Sequence, residues 1–131
     1  MVVKGLFDVK VTPVAEDTAD DVPLGRFSLD KQYHGDLTAI SKGEMLTAGS
    51  IAKGSAGYVA IERVTGSLQG LQGSFALQHT GTMNRGAPTL SINVVPHSGT
   101  GQLTGLAGTM NIIIADGKHS YEFDYSVSKD E

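Results

Sequence analysis

Two ionisable side chains, Glu62 and His79, are the strongest candidates for chemistry in this sequence of 131 residues. Glu62 stands in a strand-like segment, close to the apolar residues Ile61 and Val64. If it points inward, the loss of solvation raises its pKa and prepares it to act as a general base. The alternatives are a surface carboxylate beside Arg63 and an inward carboxylate held by a structural hydrogen bond. Glu62 is therefore a candidate catalytic and ligand-contact residue.

His79 is the second candidate, because the face assignment given below groups it with apolar residues. A neutral imidazole near the mouth of a cavity can transfer a proton or orient a ligand. The alternative is a core histidine whose ring is fully hydrogen-bonded by the protein. Its neighbours Gln78 and Thr80 are expected to face outward or toward a subunit contact.

Several aromatic and aliphatic residues share the expected inner face and complete the set of predicted ligand contacts. Between residues 120 and 127 aromatic and polar residues alternate, which is typical of a strand with one buried face. The Tyr125 hydroxyl there can reach a ligand, a backbone carbonyl or solvent. Lys31 shares a face with Tyr33, and we expect its ammonium group to reach solvent at the rim of the fold. The predicted ligand-binding residues are Tyr33, Glu62, Phe75, Leu77, His79 and Tyr125.

Other kinds of site are disfavoured by residue type and spacing. The sequence has no cysteine, and its four histidines form neither a His-x-His nor a His-Glu-x-x-His pattern, so we predict no metal site and no cofactor. The acidic connection between Pro13 and Pro23 lacks the Asp-x-Asp-x-Asp-Gly spacing of a calcium loop. A Gly-x-Ser-x-Gly elbow and a phosphate loop that opens a helix are also missing from the sequence.

Composition restricts the partners and the location. The net charge is −4 and the ten Lys and Arg residues are scattered, so we expect no nucleic-acid partner. The longest apolar run, 110–115, is far shorter than the ~20 residues that span a bilayer, and we expect no membrane partner. The first residues do not read as a signal peptide, which favours a cytoplasmic protein. The length predicts a single domain over residues 1–131.

The positions of apolar residues predict strands throughout the chain. Apolar residues recur with period two far more clearly than with period 3.6, and the 17 glycines are spread at intervals that suit turns. The predicted strands cover residues 3–14, 27–34, 44–52, 57–65, 73–83, 88–96, 108–115 and 119–128.

An internal repeat relates residues 66–75 to residues 101–110. Both copies have the form Gly-x-Leu-x-Gly-Leu-x-Gly-(Ser/Thr)-apolar. We expect each copy to be a strand end, a tight turn and a new strand, and the two copies to mark equivalent hairpin corners of one sheet. We also expect the leucines of the repeat to plug the ends of the fold.

The repeat also assigns the faces of two strands. Aligning the copies places Phe75, Leu77 and His79 over Met110, Ile112 and Ile114. A closed sheet is the simplest way for eight short strands to avoid exposed edges, and its interior holds packed side chains or one small ligand. The predicted fold is an all-β, closed antiparallel barrel of about eight strands.

Two segments carry a resemblance to known proteins. Residues 58–68, Tyr-Val-Ala-Ile-Glu-Arg-Val-Thr-Gly-Ser-Leu, and 73–81, Gly-Ser-Phe-Ala-Leu-Gln-His-Thr-Gly, resemble a bacterial family of uncharacterised proteins with allene-oxide-cyclase-like barrels. That resemblance covers nearly the whole chain. Residues 98–108 resemble the glycine-rich hairpin of the allene oxide cyclases themselves.

The resemblance implies a barrel of calycin or lipocalin-like shape, an apolar cavity and a homo-oligomer such as a dimer or trimer. Allene oxide cyclases steer the ring closure of a fatty-acid epoxide in a hydrophobic cavity. Their polar site residues do not match positions of this sequence one by one, so no catalytic residue is carried over from them.

The sequence is compatible with two functions, and it leaves open whether the protein is an enzyme. The first is binding of a small, mainly apolar molecule in the barrel lumen, with isomerase or cyclase-type chemistry as an extension. The second is a structural or interaction module with a packed lumen, whose outer face, including Ile113 or Val94, would contact a partner. A cavity larger than the ~300 Å³ of small ligand pockets, with Glu62 and His79 on one inner surface, would favour the first.

Overall fold

The computed structural model describes residues 1–16, 22–49 and 54–128, and these form one closed barrel of eight antiparallel strands. The predicted fold class is thereby confirmed. Within the described ranges, no helix is long and apolar enough to cross a membrane. The strands follow one another around the barrel, and their bounds are β1 Val2–Glu16, β2 Leu24–Tyr33, β3 Leu37–Gly49, β4 Ala56–Leu68, β5 Leu71–Asn84, β6 Ala87–Val94, β7 Leu106–Ala115 and β8 Lys118–Val127.

Strand β3 differs most from its predicted bounds, since it starts at Leu37 and not at residue 44. Leu37, Ala39 and Ser41 are buried and alternate with exposed residues, which continues the period-two pattern upstream. Gly43, which precedes the predicted strand, lies inside β3. Residues 50–52 of the prediction lie outside the described residues, as do residues 17–21 of the acidic connection.

One half of the barrel is tightly packed. Its end is plugged by leucines, as predicted for Leu68 and Leu103, both of which are essentially inaccessible. Leu103 comes from a short 3₁₀ turn, Gly101–Leu103, that crosses this end. Val94 belongs to the same core, so its proposed place on an interface is wrong, because inward alternation in β6 buries it. Ile113 is exposed, and the oligomeric state stays a prediction.

The two copies of the internal repeat fold differently, which corrects the expectation of equivalent corners. The first copy is a hairpin whose two-residue turn, Gln69 and Gly70, has positive φ at both positions. The second copy contains the 3₁₀ turn and then enters β7 at Leu106, so it ends a long connection from β6. In the second copy, the 3₁₀ turn stands where the first copy has the end of β4.

The face assignment from the repeat is confirmed. Phe75, Leu77, His79 and Met110 are buried, whereas Gln78 and Thr80 are exposed. Ile112 and Ile114 also point inward, but they reach the unpacked half of the barrel and line a cavity there.

The seam between β6 and β7 is the least paired part of the barrel. Only two residue pairs join these strands, Ile92 with Met110 and Asn93 with Thr109. By contrast, 13 pairs join β4 to β5. Residues 87–91 of β6 and 111–115 of β7 therefore face each other without a ladder, at the unpacked end of the barrel.

Candidate functional site

The unpacked half of the barrel contains a cavity of about 580 Å³. Its wall is mainly apolar, and all eight strands contribute residues to it. Among its apolar side chains are Phe7, Val9, Leu29, Met45, Ala60 and Ile112. Inward-facing apolar residues remain exposed at its mouth, namely Val11, Met83, Leu90 and Ile114. Such residues are normally covered in a core, so the mouth offers an accessible apolar surface.

The floor of the cavity is a hydrogen-bonded cluster centred on Glu62, whose side chain is fully buried. Its Oε2 accepts hydrogen bonds from Lys31 Nζ at 2.7 Å and from His79 Nε2 at 2.6 Å. Its Oε1 accepts hydrogen bonds from the Tyr33 hydroxyl and, at 2.9 Å, from Ser41 Oγ. The four bonds fill the acceptor sites of one carboxylate.

The pKa of Glu62 is shifted in the direction opposite to the predicted one. Burial alone would raise its pKa, as expected from the sequence. However, the hydrogen bond from His79 and the charge of Lys31 outweigh burial and lower the pKa to about 2. Glu62 is therefore an ionised acceptor at neutral pH. It does not have the raised pKa of a general base.

His79 connects this buried carboxylate to the cavity. Because an ionised carboxylate only accepts hydrogen bonds, the Nε2 atom of His79 must carry the proton in their contact. The other ring nitrogen, Nδ1, lies 3.5 Å from the Tyr58 hydroxyl, a long contact for a hydrogen bond. Both His79 and Tyr58 line the cavity. Burial, followed by the charge of Glu62, raises the pKa of Tyr58, so its hydroxyl stays protonated.

Lys31 does not reach the rim of the barrel, which corrects the sequence-based expectation. Only 8% of the residue is exposed, and its ammonium group lies 5.3 Å from the centre of the Phe7 ring. The Glu62 carboxylate compensates the cost of burying this charge, and the aromatic ring adds a cation–π contact. Lys31 also lines the cavity.

Two glycines make room for the cluster. Gly43 lies opposite Glu62 in the β3–β4 register, and a Cβ atom there would come within 2.2 Å of the Ile61 carbonyl oxygen. Gly81 lies opposite Tyr58, and a Cβ atom would come within 2.5 Å of the Tyr58 ring. Glycine thus allows close approach of strands at the carboxylate and lets the tyrosine ring lie over the sheet.

The structure brings together only some of the predicted site residues. Glu62 and His79 are bonded to each other, and Tyr33 lies behind the floor with its hydroxyl on Glu62. Phe75 and Leu77 are in the packed half and do not line the cavity. The hydroxyl of Tyr125 donates to the Gln69 side chain at the plugged end, far from the mouth. Packing of the inner face in that half leaves these three residues no access to a ligand in this cavity.

Sequence reasoning missed Ser41 and Tyr58 as members of the site. Ser41 stands at an inward position of a strand whose first half was not predicted. Tyr58 is an aromatic residue two positions before Ala60, so it lies on the same inner face of β4. The signal that could have found it is the pairing of an aromatic residue with a strand glycine, Gly81, across the ladder.

The fold and the floor together define a small antiparallel barrel with a ligand-sized apolar cavity that ends on a buried carboxylate, ammonium and imidazole. Residues 3–125 match the family described as proteins of unknown function (DUF3224), and the chain belongs to this family.

A solved crystal structure supports the same assignment. The chain is 53% identical to a DUF3224 protein of unknown function from Shewanella oneidensis MR-1, with a TM-score of 0.92 and with 98% of each chain covered. No curated protein matches the chain. Neither the family match nor the solved relative bears on the more distant resemblance to allene oxide cyclases, which stays a prediction.

Proposed function

We propose that this protein binds a small, mainly apolar molecule in the open half of its barrel, with the polar end of that molecule on the floor. The observation that carries the proposal is an apolar cavity of about 580 Å³ that ends on the Lys31, Glu62 and His79 cluster. Ligand pockets of roughly 300–1,000 Å³ with few, converging polar groups have this form. The resemblance to allene oxide cyclases implies a cavity of the same kind.

The hydrogen-bonding state of the floor indicates which polar group a ligand would carry. Glu62 already accepts four hydrogen bonds and has no acceptor site to offer. Lys31 and the Tyr58 hydroxyl are donors that line the cavity. A ligand whose polar end accepts hydrogen bonds, such as a carbonyl or a carboxylate, is therefore favoured over a donor such as an amine.

The alternative function, a structural or interaction module, depends on a packed lumen. Packing is complete only in the half of the barrel closed by Leu68 and Leu103, and the other half is open. Exposed apolar side chains at the mouth are also costly for a purely structural barrel, because they leave apolar surface in water. These features favour binding.

Binding can be tested with two neighbouring substitutions on opposite faces of β4. The probe is 1-anilinonaphthalene-8-sulfonate, an aromatic molecule with one anionic group, followed by its fluorescence. Ala60 is buried and lines the cavity, so Ala60→Phe should reduce affinity for the probe at least tenfold. Val59 is exposed on the outer face, so Val59→Phe should leave the affinity within about twofold of the original protein.

Native mass spectrometry of protein purified without refolding provides a second measurement. We expect a retained apolar molecule in the original protein and its loss in the Ala60→Phe variant. Equal probe affinity in both Phe variants, together with the absence of a retained molecule, would contradict the proposed function.

A further inference from the structure

We infer that the floor of the cavity is a proton-transfer site, in which His79 Nδ1 removes a proton from the carbon next to the carbonyl group of an apolar ketone. This inference rests on the proposed binding function and names the substrate class and reaction for the same cavity. Lys31 and Tyr58 would hold the carbonyl oxygen, and Glu62 would act as a positioning residue for His79.

The first step of the argument concerns the tautomer of His79. Glu62 is ionised and accepts the hydrogen bond from Nε2 at 2.6 Å, so the proton of the neutral ring is held on Nε2. The lone pair is then on Nδ1, next to the cavity and only loosely contacted by Tyr58 at 3.5 Å. A carboxylate behind one ring nitrogen fixes the tautomer and the orientation of the ring.

The second step concerns the oxygen that becomes negative. Lys31 Nζ and His79 Nε2 bond the same carboxylate oxygen, Glu62 Oε2, so the ammonium group and the imidazole are immediate neighbours. A carbonyl group placed at the floor would thus meet a cation beside the base. The apolar wall keeps the dielectric low, which strengthens the stabilisation of an enolate oxygen by Lys31 and by the Tyr58 hydroxyl.

The reaction balances without any further reactant. The carbon–hydrogen bond breaks and its proton moves to His79 Nδ1, while the electron pair forms a carbon–carbon double bond and the carbonyl pair moves to oxygen. If a hydrogen ion from solvent replaces the proton on Nδ1 before the same carbon is protonated again, the result is hydrogen exchange with solvent. Return to a more distant carbon of an unsaturated ketone moves its double bond, which is an isomerisation.

A structural role alone does not account for this arrangement. A core histidine with only a structural role is expected to have both ring nitrogens bonded inside the protein. His79 has Nε2 bonded to a buried carboxylate, whereas Nδ1 is on the cavity side and meets the Tyr58 hydroxyl only at 3.5 Å. A second histidine–carboxylate pair lies on the outside of the barrel and serves as a comparison for His79. There His34 Nε2 bonds the Asp8 carboxylate at 2.9 Å, and both residues are exposed.

The test uses 2-tetralone, an apolar aromatic ketone, in D2O, with loss of the signals of the hydrogens next to its carbonyl followed by proton NMR. General acid–base catalysis typically contributes about 10²–10⁴-fold, so the protein should exchange these hydrogens at least 100-fold faster than an equal concentration of free imidazole. His79→Gln should remove at least nine-tenths of this acceleration. His34→Gln should leave it unchanged within about twofold.

Failure of this inference can be separated from failure of the binding function. If 2-tetralone displaces the anilinonaphthalene probe from the cavity but is exchanged no faster than by imidazole, the proton-transfer inference is overturned and the binding proposal survives. If Ala60→Phe also leaves probe affinity unchanged, the binding proposal fails as well. Equal exchange rates in the original protein and the folded His79→Gln variant would overturn the role of His79.

A second measurement starts with the unaltered protein, where its result does not depend on the folding of a variant. Long-range proton–nitrogen NMR of the His79 ring should show that the neutral ring is the tautomer with its hydrogen on Nε2 and a bare Nδ1. In Glu62→Gln, the side-chain amide can accept or donate, so the two tautomers should mix and the exchange rate should fall at least tenfold. A bare Nε2 in the original protein would overturn the inference.

Discussion

Glu62 shows how a single buried charge determines what its neighbours can do. A fully buried carboxylate stays ionised only if its acceptor sites are filled, and here four side chains from β2, β3 and β5 fill them. Lys31 is buried as well, and Glu62 is its counter-charge. The same bonds leave Lys31 and His79 as the members of the cluster that line the cavity.

Removing this charge should destabilise the protein strongly. Glu62→Gln keeps the shape of the side chain but leaves the Lys31 ammonium group buried without a counter-charge, which typically costs about 3–5 kcal/mol. The free energy of unfolding measured in urea should fall by this amount. Glu44→Gln is the matched control, because Glu44 pairs with Arg26 on the exposed surface and its loss should barely change the urea midpoint.

The lowered pKa of Glu62 also predicts the pH range of this contribution. The pKa falls from 4.5 to about 2 on folding, which corresponds to about 3 kcal/mol. Because the folded value is the lower one, the contribution is complete above pH 4.5 and is lost as the pH falls toward 2. The stability difference between the original protein and Glu62→Gln should shrink over that range, and a difference that stays constant would contradict this explanation.

At the scale of the strands, the site depends on how β3 approaches β4. The alternation of residues was sufficient to predict seven strands closely, because a strand exposes every second residue to the same side. Together with the internal repeat, it also predicted the inward direction of His79. It did not predict that Gly43 belongs to a strand, because an isolated glycine in a strand pattern usually signals a break or a bulge. The reason for this glycine is the close approach of Ile61 and Glu62, which belong to another strand.

Adding one methyl group at this approach should therefore be costly. In Gly43→Ala the new Cβ would meet backbone atoms of Ile61 and Glu62, at 2.2 and 2.7 Å, so the strands must separate and the Glu62 cluster must shift. We expect a loss of about 1–3 kcal/mol in thermal or urea unfolding. Gly57→Ala is the control in the neighbouring strand, because its Cβ would meet only the Gly81 carbonyl oxygen, at 3.8 Å. Equal losses in both variants would show that the close approach is not the cause.

The whole barrel divides into a plugged half and an open half, and the two should differ in stability. The plugged half contains nearly all of the buried apolar core, whereas the open half contains the cavity and the poorly paired seam between β6 and β7. Local opening in proteins occurs where hydrogen bonds and buried contacts are fewest. A ligand in the cavity would contact the strands on both sides of the seam, since Leu90 and Ile112 line it.

Amide hydrogen exchange should reveal this division directly. Within the described strands, residues 87–91 and 111–115 should exchange fastest, and β4 with β5 slowest, because 13 residue pairs join β4 and β5 and only two join β6 and β7. Saturation with the anilinonaphthalene probe should slow exchange at the seam several-fold. Uniform protection around the barrel, with or without the probe, would contradict the division.

Residue alternation and local turn signals were sufficient to predict the all-β class, the number of strands and the inner faces of several of them, although the inner face of strand 57–65 was left open. The sequence also marked Glu62 and His79. The folded barrel was needed to show that Lys31, Ser41 and Tyr33 share one carboxylate with His79, and that Phe75, Leu77 and Tyr125 lie in the plugged half. These contacts depend on register, because alternation indicates only which side of a strand a residue faces. The stagger of strands around a closed barrel sets which inward residues meet at the same height.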